Sequence, residues 1–199
     1  MRTQKDEFWS WFGENCDVIA ADVGNQSLVR ELDRMVLNLA PGLSWEIGPG
    51  LSKPWQFVIS PSLDRGLQVI AKTVVASAPN LESWEFFSAR QAKDWDYRIK
   101  FQRENDGGEL AINAKNWTFV LLRYPDGFRE ILLKGRESSV LSEEDSRMAC
   151  SVVLESILGE DALLDSVDQF ELVAELESRF EEGERPIQEL RAAVMGREF

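Results

Sequence analysis

The sequence predicts an α+β fold in which helices pack on a mostly antiparallel central sheet. Three apolar stripes at helical spacing and two hairpin signals, Asn105-Asp-Gly-Gly108 and Pro125-Asp-Gly127, support this prediction. The length of 199 residues suits one domain that can bury a core without disulfides or metals. We therefore expect a single domain over residues 1–199. Its acidic C-terminal segment, from about residue 160, has a pattern that fits strand or helix.

An N-terminal helix pair is predicted near residues 5–40. Apolar residues recur there at three- and four-residue steps, and Gly24-Asn25 separates two stripes before Pro41-Gly42 ends the second. Aromatic stripes at this spacing are normally core, so we expect the pair to cover a sheet. The stripes comprise Phe8, Phe12, Cys16, Ile19 and Val23, then Leu28, Leu32, Met35, Val36 and Leu39.

The middle of the chain alternates between strand and helix signals. Aromatic and β-branched residues predict strands, the Gly48-Pro49-Gly50 segment predicts a turn, and a stripe that includes Ile70 and Val74 predicts a helix near 64–78. The predicted strands up to residue 133 are Ser44–Ile47, Trp55–Ser60, Ser83–Arg90, Tyr97–Arg103, Glu109–Asn113, Trp117–Tyr124 and Phe128–Leu133.

A later helix is predicted near residues 142–158. Ser142 is a good N-cap, acids fill the first turn, and Gly159 fits the C-terminal position. The segment Ala162–Val173 fits either an edge strand or a helix. Residues 177–184 are predicted to form a loop, and Pro186 suits the start of a short final helix.

The composition excludes several chemistries. The chain has no histidine, which excludes the usual Ser-His-Asp and Cys-His arrangements and histidine-based zinc or iron sites. Phosphate-loop, dinucleotide and EF-hand motifs do not occur, so we expect no cofactor and no metal. Cys16 and Cys150 are predicted to be reduced and buried, because each lies on a helical stripe. The N-terminus does not resemble a signal peptide, and we expect a cytoplasmic protein without a membrane span.

The charge is strongly negative and unevenly spread. The net charge is −13, and residues 151–199 hold 13 of the 35 acidic side chains but only 4 of the 22 basic ones. Phosphate contacts need clustered cations, so nucleic-acid binding is disfavoured. An acidic segment can attract a basic protein instead, or it can simply keep the chain in solution. The candidate partner-binding acids are Glu171, Glu175, Glu177, Glu181, Glu182 and Glu184.

A repeated tripeptide and a basic cluster are the other candidate sites. Ser44-Trp45-Glu46 and Ser83-Trp84-Glu85 each lie in a predicted strand, so inward tryptophans would place both glutamates on the opposite face. Two such carboxylates could bind a small ligand or metal or act as an acid–base pair, or could simply be solvated. A basic cluster could bind an anion or an acidic partner, or it could neutralise the acidic C-terminal segment, and we favour the neutralisation. This cluster comprises Arg90, Lys93, Arg98, Lys100 and Arg103.

An ordered set of short motifs resembles a family of small bacterial proteins of uncharacterised function. The resemblance spans most of residues 8–160 and implies an α+β fold in the bacterial cytoplasm, with no activity or catalytic residue to transfer. The motifs are Phe8-Trp9-x-Trp11-Phe12, Trp45-Glu46-Ile47-Gly48, Phe57-x-Ile59-Ser60, Ala78-Pro79-x-Leu81-x-x-Trp84-x-Phe86 and Leu158-Gly159-Glu160.

Two functional hypotheses from different classes remain open on the sequence alone. The first is a non-enzymatic interaction or regulatory protein, adaptor-like or immunity-like, that engages a basic partner. The second is a small-ligand or metal-binding protein, or an enzyme, that uses Glu46 and Glu85. A pocket with converging carboxylates would favour the second hypothesis, and an acidic or apolar surface would favour the first.

Overall fold

The computed structural model describes residues 3–102 and 107–196 and has the predicted α+β fold. Contacts within the chain divide it into two compact units, Met1–Arg90 (unit 1) and Gln91–Phe199 (unit 2). The single domain over residues 1–199 stays a prediction.

Unit 1 begins with the predicted helix pair, α1 (Gln4–Ala21) and α2 (Gln26–Leu39). The Thr3 hydroxyl accepts a hydrogen bond from the Asp6 backbone N–H, and the Asp6 carboxylate accepts one from the Thr3 backbone N–H. This reciprocal pair is a capping box, which satisfies two amides at the start of α1. Because α1 ends at Ala21, Val23 lies beyond it and is exposed.

A third helix, α3 (Arg65–Val75), is capped by the Asp64 carboxylate. It is three residues shorter at its C-terminus than the predicted span of 64–78. Its buried residues include Ala71 and Val74, whereas Ile70 of the predicted stripe is partly exposed.

The sheet of unit 1 has the order β1-β2-β3, formed by Ser44–Pro49, Trp55–Ser60 and Trp84–Phe87. β1 and β2 are antiparallel, and β2 and β3 are parallel because α3 connects them as a crossover. β1 includes Gly48 and Pro49, which the sequence placed in a turn, and β3 is shorter than the predicted Ser83–Arg90 strand.

The core of unit 1 is an aromatic cluster between α1 and one sheet face. The ring of Phe12, a fully buried residue, lies 4.9 Å from that of Phe57 and 5.1 Å from that of Trp84 between centroids. The Trp9 indole N–H donates to the Val74 carbonyl at 2.9 Å, which ties α1 to α3. The tryptophans of the sequence therefore serve core packing here, as predicted.

Unit 2 contains a two-stranded sheet and a four-stranded sheet. β4 (Arg98–Gln102) pairs with β5 (Glu109–Asn113) antiparallel. Residues 105 and 106 of the predicted Asn105–Gly108 turn lie outside the described residues. The larger sheet has the order β8-β7-β6-β9 and is formed by Gln169–Val173 (β8), Arg129–Lys134 (β7), Thr118–Arg123 (β6) and Arg185–Pro186 (β9).

The strands form three sheets among the described residues rather than one central sheet. The predicted β6–β7 hairpin is confirmed, and Gly127 at its turn has a φ of 90°, which favours glycine. Hairpin signals identify which neighbouring strands pair, but they do not show whether separate hairpins join. Most pairings are antiparallel as predicted, whereas β2–β3 and β7–β8 are parallel.

The helices of unit 2 are α4 (Glu143–Leu158), α5 (Glu160–Ser166) and α6 (Leu190–Val194). Ser142 caps α4 and Gly159 follows it with a φ of 83°, both as predicted. The open segment 162–173 contains both alternatives, the end of α5 and the edge strand β8. Residues 178–183 form a 3-10 helix instead of the predicted loop. A 3-10 turn separates Pro186 from α6.

Candidate functional site

Glu46 and Glu85 lie on the same face of the unit 1 sheet but on its two outer strands. Glu46 is opposite Val58 of β2, and Glu85 is opposite Gln56 of the same strand. Residues 56 and 58 share a face because side chains alternate along a strand. The two glutamates are therefore separated by two strand spacings, roughly 10 Å, and by two residues along the strands.

Each of these carboxylates has its own partner. Glu46 Oε2 lies 3.5 Å from Arg90 Nε, and Arg90 also donates to the Ser44 hydroxyl at 3.2 Å. Glu85 accepts hydrogen bonds from the loop that follows β1, including one of 2.6 Å from the Ser52 hydroxyl. The structure places the pair on one face without bringing the carboxylates to a common point. Among the described residues, no group of three or more Cys, Asp or Glu side chains could hold a metal ion.

The basic cluster is dispersed over both units. Arg90 belongs to unit 1, whereas Arg98 and Lys100 lie on the exposed face of β4 in unit 2. Arg98 pairs with Asp96 at 3.5 Å and Lys100 with Glu109 at 2.9 Å. Within the described ranges, these two ion pairs are made with neighbouring segments and not with the acidic C-terminal segment. Arg103 lies outside the described residues.

The six candidate acids of the C-terminal segment have different surroundings. Glu171, on β8, is exposed. Glu175, just after the end of β8, and Glu181, in the 3-10 helix, are also exposed. Glu182 is also exposed, and Glu177 is paired with Arg179 at 2.8 Å. The segment is therefore largely available to solvent, apart from its last acid.

Glu184 is half-buried and belongs to the structure of the sheet. Its carboxylate pairs with Lys134 Nζ at 2.5 Å and accepts a hydrogen bond from the Thr118 hydroxyl at 2.6 Å. The hydrogen bonds from Lys134 and Thr118 hold the pKa of Glu184 below its ordinary value. Glu184 thereby links the segment before β9 to the ends of β6 and β7.

These residues lie in a polar groove of about 910 Å³ within unit 2, hereafter the groove. It is located where β7 and β8 end, at the carboxyl edge of a parallel pair joined by the α4–α5 crossover. Crevices outside the carboxyl ends of parallel strands are common ligand sites in α/β sheets. The groove is lined by Asn113, Asn116, Trp117, Thr118, Lys134, Gly135, Arg136, Glu137, Ala174, Glu175, Leu176, Glu181 and Glu184.

Gly135 and Trp117 fix the shape of the groove floor. The Gly135 backbone N–H donates to the Val173 carbonyl at 3.0 Å, so the chain after β7 stays beside the end of β8. A Cβ at position 135 would lie 2.5 Å from Trp117 Nε1, which only glycine avoids. The Trp117 indole N–H donates to Glu137 Oε2 at 3.0 Å. The floor is therefore packed and hydrogen-bonded. The exposed charged residues of the lining, which we call the rim, are Arg136, Glu175 and Glu181.

The rim is negatively charged. Over the described part of the chain, the carboxylates of Glu175 and Glu181 form no ion pair and accept no hydrogen bond. Within the same residues, the Arg136 guanidinium forms no ion pair with an acidic side chain. Unit 2 as a whole has 14 basic and 24 acidic side chains, a net charge of −10, against −3 for unit 1. Such an arrangement attracts cationic groups.

Sequence reasoning selected Glu175, Glu181 and Glu184 by charge alone and missed the rest of the groove. Asn113, Asn116 and Arg136 lie far from the acidic segment in the sequence and carry no motif. The antiparallel β6–β7 pairing, with Thr118 opposite Lys134, brings the segment before β6 beside the segment after β7. The parallel β7–β8 pairing then adds residues 174–176 to the same groove. The available signal was the option of an edge strand within 162–173, since a strand that follows a strand and a helix fits a crossover.

Both cysteines are buried, as predicted. Burial and the nearby Glu171 carboxylate raise the pKa of the Cys150 thiol to about 12, and burial is the main reason that the pKa of Cys16 is also raised. A thiol is a poor nucleophile until it ionises, so neither residue is suited to nucleophilic chemistry at neutral pH.

We expect Cys150 to resist labelling by a water-soluble thiol reagent in the native state and to react at once in denaturant. Ionisation is disfavoured only in the folded state, so this group should also reduce folding stability as the pH rises from about 9 towards 12. Timed labelling followed by mass spectrometry measures the first effect. Native labelling of Cys150 as fast as in denaturant would contradict its burial.

Comparisons with known proteins identified no relative. No family model matches the chain, and neither a curated protein nor a solved structure matches it. The resemblance to a bacterial family therefore stays a prediction, as does the cytoplasmic location. Among the helices of the described ranges, none combines the length and the apolar character that a membrane crossing requires.

Proposed function

We propose that this protein is a non-enzymatic interaction or regulatory protein, adaptor-like or immunity-like in role, that engages a basic partner through the groove of unit 2. The observation that carries the proposal is the rim of this groove. Glu175 and Glu181 present two exposed carboxylates there, and no cation within the described residues neutralises them.

The chemistry of the groove supports a segment of a protein over a small molecule. Small-molecule pockets are mostly apolar and span about 300–1,000 Å³. The volume of the groove falls within that range, but nine of its thirteen lining residues are polar or charged. An extended, hydrophilic chain matches such a surface because it can pair with many dispersed polar groups at once.

The charges of the groove support a basic segment with room for an acidic group. Glu184 is neutralised by Lys134, whereas Glu137 keeps its charge and accepts one hydrogen bond from the Trp117 indole. Glu175 and Glu181 remain for lysine or arginine side chains. Arg136 can receive a carboxylate, and Asn113 and Asn116 can bind the peptide backbone. Glu171, Glu177 and Glu182 lie outside the groove and add long-range attraction.

The alternative hypothesis of a small ligand or metal at Glu46 and Glu85 is not favoured by any observation. The two carboxylates are on different strands, and each is held by its own partner. The proposed site is therefore the groove alone, and Arg90, Arg98 and Lys100 are assigned no role in anion binding.

A defined peptide of simple composition tests this proposal directly. A labelled short peptide of alternating lysine and serine should bind the full-length protein in a fluorescence anisotropy titration. A matched peptide of alternating glutamate and serine should not bind. Equal affinity for both peptides, or binding of neither, would refute recognition of a basic segment.

A further inference from the structure

The loop Gly50–Pro54 in unit 1, between β1 and β2, surrounds a carboxylate with hydrogen-bond donors. Glu85 Oε1 accepts hydrogen bonds from the backbone N–H groups of Leu51 and Ser52, the latter at 3.1 Å. Glu85 Oε2 accepts one from the Ser52 hydroxyl at 2.6 Å. Two consecutive amides and one hydroxyl thus donate to a single anionic group.

Successive backbone N–H groups that converge on one point form a nest, a concavity that binds anions such as phosphate in other proteins. The carboxylate of Glu85 experiences this environment directly. The hydrogen bond from the Ser52 hydroxyl, followed by those from the backbone amides, holds its pKa below the ordinary value despite partial desolvation. The loop therefore stabilises negative charge at the position that the carboxylate occupies.

Gly50 permits the close approach that this geometry needs. A Cβ at position 50 would lie 2.6 Å from Glu85 Oε1 and would overlap the Lys53 carbonyl. A glycine at the point where backbone meets an anion is a recurrent requirement of phosphate-binding loops, since any side chain would occupy the space of the ligand. Glycine at position 50 is thus explained by the anion as well as by the turn.

The shape of the loop does not depend on Glu85 alone. The Gly50 backbone N–H donates to the Pro54 carbonyl at 3.2 Å, which closes the loop on itself. Lys53 Nζ donates to the Leu81 carbonyl at 2.7 Å and lies 3.4 Å from Asn80 Oδ1, which anchors the loop to the segment before β3. These contacts should keep the donors converged when the Glu85 carboxylate is removed.

We propose that Gly50–Pro54 is a binding site for a tetrahedral oxyanion, a phosphate or sulfate group, and that Glu85 keeps it closed by occupying it as an internal ligand. A phosphoryl or sulfate oxygen takes the place of the carboxylate when the Glu85 side chain rotates out. A tethered ligand has a high effective concentration, so the site is closed in the wild-type protein. The loop belongs to unit 1, so this anion site is independent of the groove.

The test compares wild-type protein with Glu85→Ala by nuclear magnetic resonance, with inorganic phosphate as the probe and chloride at equal ionic strength as the reference. In Glu85→Ala the amide signals of Leu51 and Ser52 should shift saturably, with an apparent affinity at least about tenfold higher than in the wild type. Adding Ser52→Ala to this variant should weaken binding. Glu82→Ala removes an exposed carboxylate from the same segment and is the matched control.

Three results would overturn the proposal. Phosphate affinity in Glu85→Ala equal to that of the wild type would show that no latent site exists. An equal gain in Glu82→Ala would show that only net charge matters. In unbound Glu85→Ala, the amides of Leu51 and Ser52 could have random-coil chemical shifts while the other signals stay dispersed. That result would show that the donors are not held in place.

Discussion

Replacing both Glu175 and Glu181 by glutamine is expected to slow association with a basic peptide about tenfold at low salt and to change dissociation much less. The two exposed carboxylates supply the field at the groove rim, and electrostatic steering raises association rates by about 10- to 1,000-fold. Stopped-flow fluorescence with the labelled lysine–serine peptide measures both rates.

Salt and a charge-matched variant are the controls for this prediction. The difference between wild type and the double variant should shrink with salt, because the Debye length falls from about 30 Å at 0.01 M to about 8 Å at 0.15 M. Glu109→Gln with Glu143→Gln removes the same charge from exposed positions of unit 2 outside the groove. If this control slows association as much as the groove variant, only the net charge of the unit matters.

Replacing Phe12 by alanine is expected to lower the free energy of unfolding by about 3–5 kcal/mol, the range observed for buried aromatic residues. Phe12 is fully buried and contacts rings from α1, β2 and β3. Its loss would leave a cavity at the centre of the unit 1 core, which the surrounding rings can only partly fill. Chemical denaturation followed by tryptophan fluorescence measures the change.

Val18→Ala is the matched control because it shortens a side chain on the same helix that is 54% exposed. Surface substitutions of this kind change stability by less than about 0.5 kcal/mol. Equal stability of the Phe12 and Val18 variants would contradict the assignment of the aromatic cluster as the core of unit 1.

Local signals in the sequence were sufficient for most elements of the fold. The two ends of α4 could be predicted from Ser142 and Gly159, because helix caps depend on a few neighbouring residues. The turn of the β6–β7 hairpin could be predicted from Pro125-Asp-Gly127 for the same reason. The alternation of side chains along β1 and β3 placed Glu46 and Glu85 on one sheet face.

Non-local arrangements could not be predicted in the same way. The division of the strands into three sheets depends on which strands pair across long connections, and two of these pairings are parallel. The groove depends on one of them, since β8 must lie beside β7 before Glu175 and Arg136 can line the same groove. Charge composition therefore indicated three residues of the groove lining but not the groove itself.

The functions of individual acids were also beyond the sequence. Glu184 belongs to a run of similar residues, yet it is bound to Lys134 and Thr118 and stabilises the sheet. Glu85 looked like half of a ligand site and instead occupies a loop of its own sheet. In both cases a partner distant in the sequence determines what the carboxylate does.

The most direct test of the proposed function is to map the binding site of the basic peptide on the isotope-labelled, full-length protein. We expect saturable shifts confined to the amides of the groove, including Asn113, Gly135, Glu175 and Glu181. Those shifts should be absent in the Glu175→Gln, Glu181→Gln variant. Shifts spread evenly over the exposed acids of both units, or concentrated on the Glu143 end of α4, would contradict recognition by the groove.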